Sequence, residues 1–440
     1  MSKEIKLETL AKFDEAYLKD PIAKVMRRAL AKNGIDTIAF VGENQYKTIP
    51  TFSIDIPTMS ATNQKQSGRC WLFAGMNVLR EKVAKKCNMK EFELSQNYMA
   101  FYDKLEKMNW TMEAMIKNKD ADKDDRTLVW ILQNAIQDGG QWDMVVSLVK
   151  KYGIVPKNVM EETFTSSSTR YMNQLISQRL RKFNATIRKM DDMNAIEAYK
   201  EETLQELYGM LCTCFGLPPK EFDFEYVDKD NVHHLVRNLT PLTFRDQFLD
   251  MDLDDYVSVV NAPTDDKPFY RTFTVDYIGN VVGGNPVTYL NLPMDELKAL
   301  TVAQMKDMEV VWFGSDCGKY GDRMNGLWDP SCFDYNAVFG MDFNLTKEEM
   351  LDNRQSAMNH AMVLTGVNLV DDKPTKWKIE NSWGGEVAHK GYYVCSDEWF
   401  DLLVYQVVIN KKYLSKEQLD ALNQDPIHLH PWDPMGTLAL

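Results

Sequence analysis

The stretch from residue 64 to residue 74 places a cysteine where it could act as a nucleophile. A Ser-Gly turn precedes Cys70, and the apolar run that starts there predicts a largely buried helix ending near Lys85. Unpaired backbone N–H groups at a helix N-terminus favour the thiolate, which is the reactive form of cysteine. The side-chain amide of Gln64 could then donate to an oxyanion. On these residues alone, a buried structural thiol beside a surface glutamine explains the pattern about equally well.

A reactive cysteine needs a base, and the base needs a group that orients it. His360 and Asn381 lie on neighbouring predicted strands, in a β-rich half that could face the Cys70 helix. Imidazole can pair with a thiolate, and an asparagine can accept a hydrogen bond from the second ring N–H without adding charge. Trp383 could shield that hydrogen bond from water. Each residue alone has an ordinary structural explanation, but the order Gln, Cys, His, Asn together indicates cysteine-based catalysis.

Composition and charge exclude several classes of function. The chain has 440 residues, 26% of them charged and 44% hydrophobic, and its net charge of −13 argues against a nucleic-acid or anionic-membrane binder. The first residues lack the apolar segment of a signal peptide, and the apolar run at 361–370 is too short to span a bilayer. Seven scattered cysteines, an odd number, fit reduced thiols in a cytoplasm.

The histidines and remaining cysteines do not predict a metal site. His233 and His234 are adjacent, so their side chains diverge, while His428 and His430 have no cysteine or carboxylate cluster beside them. The cysteines at 212 and 214 lack both zinc spacing and a second pair. We therefore expect neither a metal nor another cofactor.

The elements that must position the candidate residues change in character along the chain. Helical spacing dominates to about residue 215, with a strand predicted at 50–57 and two separate helices between 96 and 117. Residues 165–215 predict long polar helices, which are explained equally by an inserted domain with an oligomer contact or by a solvated hairpin. Short strands after residue 309 predict an antiparallel, partly barrel-like unit. A Gly-Gly turn at 139–140 could let backbone approach a ligand, although a plain turn is the simpler local explanation.

Five sequence blocks resemble the papain-like cysteine peptidases, and within them the bleomycin hydrolase/aminopeptidase C branch. The blocks are residues 64–74 around Cys70, 138–142 (Asp-Gly-Gly-Gln-Trp), 358–362 around His360, 380–384 around Asn381 and 431–436 (Pro-Trp-Asp-Pro-Met-Gly). The cysteine and asparagine motifs are specific in combination, and the last block is specific to this branch. Because the blocks extend to the end of the sequence, the resemblance covers nearly the whole chain.

The resemblance implies an α+β, papain-like two-domain fold with an inserted helical oligomerisation domain. The implied divisions are 1–60 packing on the catalytic core, 61–164 as the helical left domain with the nucleophile, 165–220 as the insertion, 221–430 as the antiparallel β-barrel-like right domain with the histidine and asparagine, and 431–440 as a C-terminal arm entering the active site. Cys70 and His360 are about 290 residues apart, roughly twice the 130–150 typical of secreted papains, which agrees with an insertion.

The resemblance also implies an intracellular, cytoplasmic cysteine aminopeptidase that works through an acyl-enzyme as a homohexamer. The implied catalytic residues are Cys70, His360, Asn381 and Gln64, and the implied substrate-binding residues are Gly139, Gly140, Asn359, Trp383, Ala439 and Leu440. The expected substrates are peptides with a free N-terminus. An arm-terminal carboxylate in the cleft would pair with their α-ammonium and exclude a longer chain.

The tail leaves an alternative open. Many relatives end Gly-Ala-Leu-Ala, whereas this chain ends Gly-Thr-Leu-Ala-Leu, so Ala439 matches the usual terminus and Leu440 is extra. We hypothesise that Leu440 is trimmed or tolerated and that aminopeptidase activity remains. An altered arm would instead give an endopeptidase, as in some relatives from lactic acid bacteria. A non-catalytic cage or a nucleic-acid-binding role is less favoured, because all four catalytic residue types are present and the net charge is −13.

Overall fold

The computed structural model describes residues 3–440, and helices dominate its first half. The α-helices are α1 (Leu7–Lys19), α2 (Pro21–Leu30), α3 (Ile35–Ala39), α4 (Cys70–Lys86), α5 (Gln96–Lys117), α6 (Arg126–Gln133), α7 (Trp142–Tyr152), α8 (Phe164–Ser167), α9 (Arg170–Ile187), α10 (Met193–Phe215), α11 (Pro241–Phe248), α12 (Met294–Lys306), α13 (Tyr335–Phe339), α14 (Lys347–Asp352), α15 (Asp397–Leu403) and α16 (Lys416–Leu422). The helical character predicted up to about residue 215 is confirmed.

Strands dominate the second half and join mainly into one sheet. The strands are β1 (Ile54–Asp55), β2 (Phe222–Val227), β3 (His233–Leu239), β4 (Tyr256–Val260), β5 (Arg271–Val275), β6 (Tyr289–Asn291), β7 (Val311–Ser315), β8 (Gly321–Asp322), β9 (Leu327–Trp328), β10 (His360–Val370), β11 (Lys373–Glu380), β12 (Tyr392–Ser396), β13 (Val404–Asn410) and β14 (Ile427–Leu429). The twelve-stranded sheet has the order β14-β5-β6-β4-β13-β7-β10-β11-β12-β9-β8, with β1 on β10, while β2 and β3 form a separate hairpin.

Helix α4 is the buried helix predicted from the apolar run. It begins at Cys70 and ends at Lys86, and its last turn carries two lysines at the negative end of the helix dipole. Its residues from Cys70 to Arg80 are buried, and the helix packs on β10 and β7. The indole Nε1 of Trp312, on β7, donates to the carbonyl oxygen of Trp71 at 3.1 Å. This contact fixes the first turn of α4 against the sheet.

Strand register brings the predicted base and its orienting group together. His360 begins β10 and pairs with Ser315 on β7, while Val363 pairs with Glu380, the last residue of β11. Asn381 follows directly after β11. Since β10 and β11 are antiparallel neighbours, the start of one and the end of the other meet at the same end of the sheet.

The sheet is not antiparallel throughout, so that part of the predicted right domain is wrong. The central strands β4, β13, β7, β10, β11 and β12 pair antiparallel, but β12–β9, β14–β5 and β4–β6 are parallel pairs. Parallel neighbours need a long connection between them, and each of these pairs is far apart in sequence or joined by an intervening strand. The alternation of apolar and polar residues along one strand cannot show whether the neighbouring strand in the sheet is parallel or antiparallel.

Two predicted element boundaries are also wrong. The strand predicted over 50–57 shortens to β1, two residues that pair with β10, because prolines flank it and remove donors. The two helices predicted between 96 and 117 are one continuous helix, α5, which Ser95 caps by accepting the N–H of Tyr98. No proline or glycine interrupts that stretch, so tertiary packing carries the helix through its polar centre.

Helices α9 and α10 form the predicted helical hairpin. They pack on each other and on α5, and the Phe183 and Tyr199 rings stack between them with centroids 5.6 Å apart. Phe101 of α5 meets Tyr208 of α10 edge-on at 5.5 Å. The hairpin thus shares its apolar core with the helix behind α4, and the division of the chain at 165–220 stays a prediction.

Candidate active site

Cys70 lies at the first position of α4, at the junction of the helix and the sheet. Its side chain is buried, and its Sγ accepts the backbone N–H of Ala361 at 3.4 Å. Burial raises the pKa of the Cys70 thiol to about 11, while backbone N–H groups of Ala361 and of the first helical turn act against this. The helix terminus thus favours the thiolate as expected, but desolvation has the larger effect.

His360 and Asn381 form the predicted hydrogen bond. His360 Nε2 and Asn381 Oδ1 are 2.8 Å apart, and the same oxygen accepts the N–H of Ser382 at 2.7 Å. An amide oxygen only accepts, so Nε2 carries the hydrogen and Nδ1 is left available to Cys70. Burial lowers the pKa of His360 to about 4, although Asn381 opposes this shift. Burial therefore disfavours the charged form of each group, and a proton passing from the thiol to the imidazole leaves the net charge of the site unchanged.

Trp383 covers the histidine as predicted. Its ring stacks on the His360 ring with centroids 5.0 Å apart and an interplanar angle of 27°. Trp328 and Tyr393 hold the indole edge-on, at 6.1 Å and 5.6 Å. The aromatic contacts restrict rotation of the imidazole and keep water from one of its faces. A direct contact of Trp383 with substrate stays a prediction.

Gln64 is fixed beside the nucleophile loop by both ends of its amide. Its Oε1 accepts the hydroxyl of Ser382 at 2.6 Å, and its Nε2 donates to the carbonyl oxygen of Ser67 at 2.6 Å. The backbone N–H of Gln64 also donates to the Ser382 carbonyl oxygen, at 2.9 Å. An amide nitrogen has two hydrogens, so one remains for a developing oxyanion.

Asp138 joins the nucleophile loop to the glycine turn, a role that the sequence did not reveal. Its carboxylate accepts the N–H of Gly68 at 2.9 Å and the amide of Asn173 at 2.8 Å, and it also accepts the hydroxyl of Thr169. Lys104 lies 2.6 Å from it. Burial alone would raise the pKa of Asp138, but Lys104 and these donors hold it well below the ordinary value. The ionised side chain therefore fixes the residues just before Cys70.

Gly139 and Gly140 lie against the tail of the chain. The N–H of Gly140 donates to the carbonyl oxygen of Leu438 at 3.0 Å. A Cβ on Gly139 would lie 2.3 Å from that oxygen, and a Cβ on Gly140 would lie 2.4 Å from the Trp71 ring. Both positions therefore require glycine. The sequence indicated that another backbone could lie close to the Gly-Gly turn, and in the structure the backbone of the tail lies there.

Most of the tail, residues 431–440, is buried between the glycine turn and the segment just before His360. Residues 434–439 form a 3-10 turn, and Thr437 Oγ1 donates to the carbonyl oxygen of Met358, two residues before His360. Ala439 is 8% exposed and Leu440 is 38% exposed. The tail thus bridges the glycine turn on the helical side and β10 on the sheet side.

The side chain of Asn359 makes two hydrogen bonds to residues that directly follow β7. Its Nδ2 donates to Asp316 at 2.6 Å, and its Oδ1 accepts the N–H of Cys317 at 3.1 Å. Both contacts lie at the end of β7 and fix the loop that follows it. The substrate-binding role given to Asn359 stays a prediction.

A buried ion pair that sequence reasoning missed links α4 to β11. Arg80 donates to Glu380 at 2.8 Å, and Asn77 donates to the same oxygen at 2.8 Å. The side chains of Arg80 and Glu380 are 2% and 1% exposed. Burial raises the pKa of Glu380, and Arg80 opposes this. Because Glu380 precedes Asn381, the pair connects the helix of the nucleophile to the strand that carries the orienting group.

Four of the five histidines outside this site have side-chain partners in the protein. His233 pairs with Glu225, His234 with Asp228 and His428 with Asp276, while His430 stacks on Trp432. No group of three or more histidine, cysteine, aspartate or glutamate side chains in residues 3–440 is arranged to hold a metal ion. Within the same residues, no helix is both long and apolar enough to cross a membrane.

Known proteins are similar to this chain over nearly its full length. The profile of the Peptidase C1-like family matches residues 4–436. Aminopeptidase C of Listeria innocua is 46% identical over 441 residues, covering 100% of both chains. Aminopeptidase C of Lactobacillus delbrueckii subsp. lactis is 46% identical, covering 100% of this chain and 99% of that one. The crystal structure of PepW from Lactobacillus rhamnosis superposes with a TM-score of 0.97 at 47% identity, covering 99% of both chains.

Proposed function

This chain belongs to the Peptidase C1-like family and is a cysteine peptidase, and we propose that it acts as an aminopeptidase with Cys70 as its nucleophile. The names of the full-length relatives support removal of N-terminal residues. The observation that carries the proposal is the hydrogen bond from Gly140 N–H to the carbonyl oxygen of Leu438, at 3.0 Å. Through it, the tail occupies backbone that an extended substrate would otherwise use.

The contacts of the site support a two-step mechanism. Cys70 Sγ attacks the carbonyl carbon of the N-terminal residue as its proton passes to His360 Nδ1. Gln64 Nε2 and the backbone N–H of Cys70 donate to the oxyanion. The C–N bond then breaks, and His360 returns the proton to the leaving amine. Water, deprotonated by His360, hydrolyses the thioester and releases the N-terminal amino acid.

The tail supplies the restriction to N-termini. With residues 434–440 in the groove, a peptide can extend only a short way on the acyl side of Cys70. The carboxylate of Leu440 then faces the substrate's α-ammonium, which rewards a free N-terminus and excludes a longer chain. An endopeptidase would need this groove to be open.

Leu440 is one residue beyond the usual arm terminus, and we propose that it is tolerated or trimmed. A cavity of about 50 Å³ adjoins it. The aromatic side chains lining that cavity are Trp110, Trp130 and Tyr277. Free volume beside the apolar side chain of Leu440 supports the proposal that this extra residue is tolerated. The intact mass of the purified protein measures trimming directly.

We also propose a homohexamer, on the basis of exposed apolar surface. Helices α1 and α2 have no buried residue, and Leu7, Phe13 and Ile22 are each more than half exposed. Phe164 and Tyr171, at the start of the helical hairpin, are 88% and 77% exposed. Such side chains are typical of interfaces between subunits. Light scattering should give about six times 50.9 kDa, and the chain mass alone would refute assembly. A cytoplasmic location is proposed on the seven free thiols.

Product analysis tests the proposed activity. A peptide of ten residues with a free N-terminus is incubated with the protein, and its fragments are followed by mass spectrometry. We expect a ladder that loses one residue at a time from the N-terminus, and no fragments with Cys70→Ala. First products cut in the middle of the peptide would instead identify an endopeptidase. No fragments at all from the unaltered protein would favour the non-catalytic cage.

A further inference from the structure

Arg323 brings a positive charge to the wall of the active site beside the histidine. Its guanidinium carbon lies 4.5 Å from the centroid of the Trp383 ring, and that ring stacks on His360 at 5.0 Å. Burial is the main reason for the lowered pKa of His360, and the charge of Arg323 adds to it. The guanidinium and the imidazole are therefore within electrostatic range of each other.

This guanidinium has no carboxylate partner among residues 3–440. Arg323 is exposed and forms no salt bridge within that range, and its guanidinium contacts only neutral groups, the Trp383 ring and the Tyr393 hydroxyl. The nearby carboxylates are already engaged, since Asp322 accepts the N–H groups of the loop and Asp316 pairs with Lys319 at 3.0 Å. The loop itself is anchored, because Tyr393 donates to the carbonyl oxygen of Arg323 at 3.2 Å. A fixed cation without an anion is therefore presented at the cleft.

The leaving residue of a substrate lies on this side of the cleft. The tail occupies the acyl side, where Leu438 accepts the N–H of Gly140. His360 must deliver its proton to the departing amine, so the residue that begins with that amine lies beside the imidazole. The wall next to the imidazole is Trp383 with Arg323 above it.

We propose that Arg323 binds a carboxylate on the leaving residue, and so favours peptides whose second residue is acidic or carries the free C-terminal carboxylate of a dipeptide. The guanidinium lies over the indole and has no carboxylate partner, and its fork of N–H groups suits a bidentate contact with a carboxylate. The net charge of −13 would repel acidic peptides, and a local cation offsets this where the peptide binds. The inference rests on the proposed aminopeptidase activity and adds selectivity to it.

The test compares matched substrates that share one N-terminal residue. We measure kcat/KM at low ionic strength for Leu-Glu-amide against Leu-Gln-amide, and for Leu-Gly against Leu-Gly-amide. The variants are Arg323→Gln, Arg323→Lys and the control Arg237→Gln, which removes an exposed arginine on β3. The unaltered protein should favour at least one carboxylate substrate by roughly three- to fivefold, the scale of an exposed charge pair. A preference within the first pair would show that the side-chain carboxylate of the second residue is bound. A preference within the second pair would show that the C-terminal carboxylate of a dipeptide is bound.

The ratio within each pair separates recognition from a structural effect. Arg323→Gln should bring the ratio close to one, Arg323→Lys should keep part of it, and Arg237→Gln should not change it. Added salt should reduce the preference. Ratios of one in the unaltered protein, or a preference that survives in Arg323→Gln, would overturn the inference while the aminopeptidase activity stands. If no substrate releases leucine, the proposed function itself fails.

Discussion

The histidine at the centre of the site is held by contacts of two kinds. A hydrogen bond from Nε2 to Asn381 sets which nitrogen faces the sulfur, and the Trp383 ring limits rotation of the imidazole. Burial disfavours charge on both Cys70 and His360. Burial therefore favours formation of the thiolate–imidazolium pair by proton transfer inside the site over loss of a proton to solvent. An oriented neutral imidazole next to a buried thiol suits this transfer.

Removal of the orienting amide should slow the reaction without abolishing it. In Asn381→Ala, His360 keeps its stack on Trp383 but loses the contact that fixes its tautomer. We expect kcat to fall by roughly tenfold or more, and by less than the loss on the order of 10⁴-fold expected for Cys70→Ala. Stopped-time assays on one free peptide measure both variants. Equal losses would contradict an orienting role.

A methyl group at Gly139 should displace the tail. Its Cβ would lie 2.3 Å from the carbonyl oxygen of Leu438, so the tail must move away from the glycine turn. We expect Gly139→Ala to cleave an N-acetylated peptide several-fold faster than the unaltered protein does, measured as product per enzyme. The control is Gly209→Ala on α10, where an added Cβ meets nothing within 4 Å. An unchanged rate on the blocked peptide would refute the closing role of the tail.

The sequence predicted the candidate catalytic residues more completely than it predicted the residues that hold them in place. Cys70, His360 and Asn381 stand in motifs whose residue types suit one chemistry, and the structure brings them to one place. Arg80 and Glu380 carry no such signal, because 300 positions separate them and each fits an ordinary helix or strand. Arg323 lies in a loop whose path depends on the strands around it.

At the level of elements, the ion pair between α4 and β11 keeps the two halves of the site in register. In Glu380→Gln the buried guanidinium of Arg80 loses its closer carboxylate partner and keeps only Glu81, at 3.6 Å, which should lower the free energy of unfolding by about 3 kcal/mol. Urea denaturation measures the change. The control is Asp254→Asn, which breaks a pair with Lys150 that is about half exposed and should cost under about 1 kcal/mol. Equal effects of the two substitutions would contradict the link.

Helix α7 begins beside a buried carboxyl group whose ionisation should destabilise the fold. Burial raises the pKa of Asp143 from 3.8 to about 7. Between pH 4 and pH 7 the native state therefore holds a proton that the unfolded chain has lost, so stability falls as pH rises, by on the order of 4 kcal/mol.

The substitution Asp143→Asn removes this titration. The unfolding free energy of the unaltered protein minus that of the variant should fall as pH rises from about 4 to about 7, and stay constant above. Urea titrations at a series of pH values measure this difference. The contributions of all other titrating groups are the same in both proteins and cancel in it. A difference that is the same at every pH would show that Asp143 is not protonated in the native state.

Element types followed from the sequence, but element partners did not. The apolar run gave α4 nearly to the residue, and it placed a strand over 358–367 where β10 covers His360–Val370. The same spacing cannot say that β9 lies parallel to β12, since that contact joins residues far apart in the chain. Continuity of α5 through its polar centre depends on the hairpin packed against it.

Across the whole molecule, the tail bridges Gly140 on the helical side and Met358 on the sheet side. Under the proposed function, residues 431–440 close one end of the groove and so govern access to Cys70. The tail block indicated this position through resemblance, whereas its contacts arise only when both halves of the fold are assembled. Exclusion by the tail and attraction at Arg323 would then select peptides from opposite sides of the scissile bond.

The measurement that tests this account most directly compares one peptide with a free N-terminus and the same peptide N-acetylated. Both are assayed under identical conditions with the unaltered protein, and kcat/KM is obtained for each. If the tail carboxylate faces the substrate's α-ammonium, the free peptide is cleaved after its first residue. Its kcat/KM is then roughly tenfold or more above that of the blocked peptide. Equal or faster cleavage of the acetylated peptide would contradict the account.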